Sequence, residues 1–242
     1  MPLKLTNAHL KSLLPPFDES LDIGKKPLEF QRKLEVTEPI VEAYIECACR
    51  YRNDNQEEGR EIPSCVMIPG ELTKRWSSYK LCTDVLPKIT ETLEKHNCAG
   101  ENFQQLDYLL MPILDDELLH EDDPGWHYLL LCLAPKQRAL IIMDSALDKG
   151  YNNVHEWPLD HLRAILLHIL NLNNYNEAKS EGWNLYNEWC SKSPKNDPRS
   201  PPCKKQGDHY NCGIYTCTNA LCLCFGYDLM CYKYDYLDRG YV

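Results

Sequence analysis

The stretch that most constrains this chain runs Trp126-His127-Tyr128-Leu129-Leu130-Leu131-Cys132-Leu133, Ala134-Pro135-Lys136-Gln137, Arg138-Ala139-Leu140-Ile141-Ile142-Met143-Asp144-Ser145. Two β-rich runs flank a four-residue turn, which predicts a β-hairpin. If Leu133 pairs with Arg138, His127 falls opposite Asp144 at the open end. Directly paired side chains have Cβ atoms about 4.5–5.5 Å apart, within reach of a carboxylate–imidazole hydrogen bond. Such a bond fixes the His tautomer and stabilises the imidazolium.

A second stretch, Gln206-Gly207-Asp208-His209-Tyr210-Asn211-Cys212-Gly213-Ile214-Tyr215-Thr216-Cys217, reads as a polar loop delivering a cysteine to the start of a buried helix. Ile214, Cys217, Leu221 and Cys224 recur at helical spacing, and Gly226 supplies a C-terminal stop. Cys212 would sit in the first turn, where the partial positive charge of the helix N-terminus favours a thiolate. Gln206, six residues upstream, can fold its carboxamide N–H back beside the sulfur, where an oxyanion would develop on an attacked carbonyl. A nucleophile, a base and an orienting acid are therefore all available in Cys212, His127 and Asp144.

Composition narrows the partners. The chain has 242 residues, 43% of them hydrophobic and 26% charged, which is ordinary globular composition. A formal charge of -10 argues against nucleic acid, since phosphate-backbone binding needs clustered Lys and Arg. The longest apolar run, Tyr128 to Ala134, is far short of the roughly 20 residues of a membrane span. Thirteen cysteines without a signal-peptide core predict reduced thiols in a reducing compartment, cytoplasmic or nuclear, with action inside a host cell also open. Cys212, Cys217, Cys222 and Cys224 contain no C-x2-C knuckle, so no metal is expected.

Taken in order, residues 1–33 read as an irregular arm interrupted by Pro15, Pro16, Gly24 and Pro27. A helix is predicted from an N-cap at Thr37 to near Asn53, with Ile40, Tyr44, Cys47, Ala48 and Tyr51 on its buried face. Cys65–Ile68 reads as a short strand, and Tyr79–His96 as a helix that Pro87 should kink or divide. Tyr108–Leu114 is a strand, followed by an acidic loop from Asp115 to Gly125. Pro158 opens a further helix that closes within Asn171–Asn174. Trp183, Tyr186 and Trp189 read as core or strand face. Residues 191–205 read as a loop with five basic side chains, and the Tyr-rich residues 227–242 as a tail docked on the body.

The order His127, Asp144, Gln206, Cys212, with Cys-Gly-Ile-Tyr following, resembles the ubiquitin-like-protein proteases, the SUMO-specific cysteine protease family of the adenain-like clan. The likeness extends over residues 34–226. It implies an α+β, papain-like fold in which a mixed central sheet is flanked by helices and the nucleophile opens a central helix. By resemblance Cys212 is the nucleophile, His127 the general base, Asp144 its orienting acid and Gln206 part of the oxyanion hole. The implied reaction is thiolate attack after the C-terminal Gly-Gly of a ubiquitin-like protein or its conjugates, by a monomer without metal or organic cofactor. Trp126, Tyr128, Asn211, Gly213 and Glu35 are the expected substrate-binding positions.

Three of these positions depart from the family pattern. Trp126 precedes the His instead of following it, Asn211 stands where Asp usually precedes the Cys, and Glu35 falls where the family lays a Trp over the Gly-Gly tail. They leave the catalytic set intact and imply a differently built tail channel. Acetyltransferases with the same residue order, and a silent modifier-binding module, are the alternative classes. The first would acetylate Cys212 from acetyl-CoA, and the second would show ordinary Cys212 alkylation kinetics.

Overall fold

In a computed structural model, which describes residues 36–56, 58–70, 72, 85–115, 127–145, 156–187 and 211–227, the predicted hairpin forms the middle of a five-stranded sheet. The strands lie in the order β1 (Cys65–Met67), β2 (Tyr108–Asp115), β3 (His127–Ala134), β4 (Ala139–Asp144) and β5 (Asn184–Asn187). β1 is parallel to β2 and β5 to β4, whereas β2, β3 and β4 are antiparallel, so the sheet is mixed.

Alternation along the strands builds a core on each face. Leu110, Leu130, Cys132, Ile141 and Met143 pack with α1 (Glu38–Asp54) and α5 (Cys212–Phe225). Leu109, Leu129, Leu131, Leu140 and Ile142 pack with α2 (Val85–Lys95) and α3 (Glu156–Leu170) on the other. β3 is buried along its whole length, as a strand covered by helices on both faces must be.

The hairpin register differs from the sequence expectation. Ala134 pairs with Ala139, Leu133 with Leu140, and Leu129 with Asp144. Pro135–Gln137 closes as a 3-10 turn and Arg138 takes the left-handed conformation at φ 52°, ψ 47°, so the turn lies one residue later than expected. Arg138 is also held from outside, its guanidinium donating to the Glu181 carbonyl and its own carbonyl accepting from Asn184 N at 2.9 Å. The slip is by two residues, and an even slip preserves which side chains share a face. His127 and Asp144 become diagonal instead of direct neighbours, still within reach of long side chains. Directly opposite His127 on its other side is Asp115 of β2.

α1 begins after Thr37 with Pro39 in its first turn, as expected, but turns a different face inward. Val41, Ile45 and Cys49 are buried with Ile40 and Ala48, while Cys47 and Tyr51 are exposed. The sequence carries apolar residues on both stripes, and packing against α5 and β1 selects between them. Residues 79–84 of the expected helix lie outside the described residues, and Pro87 is the third described position of α2. The helix is continuous from Val85 to Lys95, so Pro87 does not divide it there. Pro158 likewise lies just inside α3, which starts at Glu156.

α2, α3 and α5 stop in the same way, with a left-handed residue followed by a backbone bond back across the last turn. Asn97, Asn171 and Gly226 have φ 57°, 53° and 66°, and Cys98, Leu172 and Tyr227 donate to Leu93, Leu167 and Cys222. A short helix, α4 (Tyr175–Ser180), was not expected from the sequence. Asn174 Oδ1 accepts from Asn176 N and Glu177 N, and Glu177 Oε2 accepts from Asn173 N, a reciprocal cap of the kind that Asn-x-x-Glu encodes. Trp183 is core, stacked on Phe103 at 6.3 Å between ring centroids.

At the end of the sheet away from His127, one side chain joins α1 to β1. Asn53 Oδ1 accepts from Ser64 N (2.8 Å) and Cys65 N (3.0 Å), and its Nδ2 donates to Cys65 O (2.7 Å). Asn53→Ala strands these half-buried backbone groups and should cost on the order of 3 kcal/mol, lowering Tm by roughly 6–12 °C. Thermal unfolding by circular dichroism checks it, and an unchanged Tm would show that water replaces all three bonds.

Candidate active site

α5 carries Cys212 at its first position. Asn211 precedes it at φ −94°, ψ 5°, and the Asn211 carbonyl accepts from Tyr215 N at 3.1 Å to start the helix. Its side chain does not cap the helix. α5 is buried over most of its surface because it lies between α1 and the sheet, which explains why its sequence is apolar nearly all round. Cys212 itself is 1% exposed.

An imidazole and a carboxylate come from the adjoining strand ends. His127 is the first residue of β3 and Asp144 the last of β4. His127 Nε2 lies 2.7 Å from Asp144 Oδ1, and both groups are buried, at 7% and 2% exposure. The carboxylate accepts at Nε2, and the Cys212 sulfur also hydrogen-bonds the His127 side chain. Burial works to lower the His127 pKa, but the Asp144 charge, its hydrogen bond and the Cys212 sulfur together hold it well above the usual histidine value. The charged form of the ring is favoured by these partners.

The other cysteines have different surroundings. Eight of the nine described are buried, and none of the nine forms a disulfide. Burial pushes Cys98 up to about 11 and Cys217 up to about 12. Hydrogen bonding to Cys224, with burial, pushes Cys49 and Cys65 up as well. These thiols stay protonated at neutral pH, as core residues do. Among the described residues no group of three or more His, Cys, Asp or Glu is arranged to hold a metal, and no helix is long and apolar enough to cross a membrane.

The structure thus brings together Cys212, His127 and Asp144. Of the expected substrate-binding positions, Tyr128, Asn211 and Gly213 lie beside them and are buried. Gly213 is in a tight place that sequence reading did not anticipate, because its neighbours Val36, Val41 and Tyr128 come from distant segments. Gln206, Trp126 and Glu35 lie outside the described residues, as do the N-terminal arm, the 191–205 loop, Trp189 and residues 228–242 of the tail; the acidic loop is described only at Asp115.

Comparison with known proteins gives the family and the fold. Residues 42–230 match the model of the Ulp1 protease family, C-terminal catalytic domain. The structure is similar to the catalytic domain of the Ulp1-like SUMO protease of Chaetomium thermophilum, at 18% identity and TM-score 0.59, covering 98% of this chain and 87% of that one. It is also similar to the C-terminal Ulp1 protease domain in complex with Smt3, the yeast ortholog of SUMO, at 15% identity and TM-score 0.51, covering 86% and 73%. A third neighbour is SUMO protease Ulp1 with its catalytic cysteine oxidised to a sulfenic acid, at 16% identity and TM-score 0.53, covering 86% and 74%. No curated protein sequence matches. With the family model spanning well over half of its length and the neighbours sharing its α+β fold, the chain belongs to the Ulp1 protease family and is a cysteine protease.

Proposed function

We propose that this protease hydrolyses the peptide or isopeptide bond after the C-terminal Gly-Gly of a SUMO-type ubiquitin-like protein. The observation that carries the reading is the 2.7 Å His127–Asp144 bond beside Cys212, in a chain of this family. The Smt3 complex among the structural neighbours supports the choice of modifier.

In this reading His127 takes the Cys212 proton at Nδ1 while Asp144 holds the ring from Nε2. The thiolate attacks the terminal glycine carbonyl, and the oxyanion is met by backbone N–H groups at the start of α5 together with Gln206. His127 returns its proton to the leaving amine, and water then releases the modifier from the acyl-enzyme. Residues 34–226 are the catalytic domain, flanked by the arm 1–33 and the tail 227–242, and the enzyme works as a monomer. Trp126, Asn211 and Glu35 border the tail channel. The free thiols suit the cytoplasm or nucleus.

The test is cleavage of a SUMO precursor and of a SUMO–lysine isopeptide, with ubiquitin equivalents alongside. Release of mature SUMO, absent in Cys212→Ala, is expected. Cleavage of ubiquitin alone would overturn the choice of modifier, and cleavage of neither would overturn the Gly-Gly specificity.

A further inference from the structure

We propose that Tyr128 and Gly213 form a spacer contact that sets the separation of His127 and Cys212. Tyr128 follows His127 on β3, and Gly213 follows Cys212 on α5. Each half of the contact is therefore one peptide bond from a group that exchanges the proton. Tyr128 turns into the α1/α5 core and is 4% exposed. A Cβ placed on Gly213 would stand 3.3 Å from Tyr128 Cδ2, 3.3 Å from Val41 Cγ2 and 3.4 Å from Val36 Cβ.

The two at 3.3 Å are tighter than nine in ten real Cβ contacts, and two of the three neighbours are stiff β-branched side chains, Val41 in α1 and Val36 just before it. They leave the β3 ring as the part facing α5 from the sheet. Glycine lets the first turn of α5 settle against that ring, and any side chain there pushes the helix start away from β3 by a few tenths of an ångström. Proton transfer and thiolate attack are steep in distance, since about 1 Å of misplacement costs roughly 100-fold. Tyr128 and Gly213 are then positioning residues that act through His127 and Cys212, not walls of the substrate channel. The inference rests on Cys212 and His127 being the reacting pair.

The experiment compares Gly213→Ala, Tyr128→Leu, their combination and Tyr128→Phe by kcat and KM on a SUMO precursor. Iodoacetamide alkylation of Cys212 is measured in the same variants without substrate, with circular dichroism to verify folding. Gly213→Ala is expected to lower kcat by about 3- to 6-fold with KM within about twofold, and to slow substrate-free alkylation. Tyr128→Leu is expected to act in the same sense, and Tyr128→Phe, which keeps the ring edge, to retain more kcat. The double variant should lose less than the product of the single losses, because both act on one contact. A raised KM with kcat and alkylation untouched would overturn the spacer and make the pair a substrate wall. Multiplicative losses would overturn it too. If Gly213→Ala does not fold, the Tyr128→Leu and Tyr128→Phe comparison decides alone by the same criteria. Residual turnover in Cys212→Ala would instead sink the reading beneath it, whatever the spacer variants do.

Discussion

Asp144→Asn is expected to lower kcat by about four orders of magnitude while leaving the fold in place, by the scale seen when the orienting acid of a serine protease triad is neutralised. Asn is nearly isosteric, so the core around the buried carboxyl keeps its packing. What changes is charge. With the carboxylate present, its attraction and hydrogen bond outweigh burial and hold the His127 pKa well above its usual value. Without it, burial is the dominant influence and burial lowers a histidine pKa. The alkaline limb of kcat/KM, which reports loss of the imidazolium proton, should therefore move to lower pH in Asp144→Asn. An Asn amide also donates where a carboxylate accepts, which favours the wrong ring tautomer. Near-full activity, or an alkaline limb that stays put, would mean that the 2.7 Å bond does not hold the base.

Cys212→Ala is expected to abolish turnover, by roughly 10⁶-fold on the scale of a serine protease stripped of its nucleophile. No neighbouring thiol is suited to replace it. Cys217 lies five residues further along the same helix, with its pKa pushed up to about 12 by burial, and Cys132 is raised by the same cause. The His127 ring contacts the Cys212 sulfur, and the substitution removes only that atom from a buried site. Far-UV circular dichroism and Tm should therefore stay close to those of the unaltered enzyme. Substantial residual hydrolysis would assign the nucleophile elsewhere.

Much of this site was legible in the sequence because local rules govern it. The start of α5 at Cys212 and its end at Gly226 follow from apolar spacing and the glycine stop, and both strands of the hairpin from their β-rich runs. The exact ladder pairing was not legible. It depends on Arg138 adopting a left-handed conformation and bonding to Glu181 and Asn184, residues more than 40 positions away. His127 and Asp144 still meet because the slip was even.

The inward face of α1 was misread for a similar reason, since two apolar stripes compete and only α5 and β1 decide between them. α4 was legible but unread, its Asn174-x-x-Glu177 cap lying in plain view. The crowding around Gly213 could not be read at all, because it joins Val36, Val41 and Tyr128 across some 180 residues of chain.

The account is tested most directly by intact-mass analysis after incubation with SUMO and ubiquitin probes that carry a thiol-reactive warhead at the C-terminal glycine. A single SUMO adduct, mapped to Cys212 and absent from Cys212→Ala, is the predicted result. An adduct that persists in Cys212→Ala, or forms with ubiquitin and not with SUMO, would contradict it.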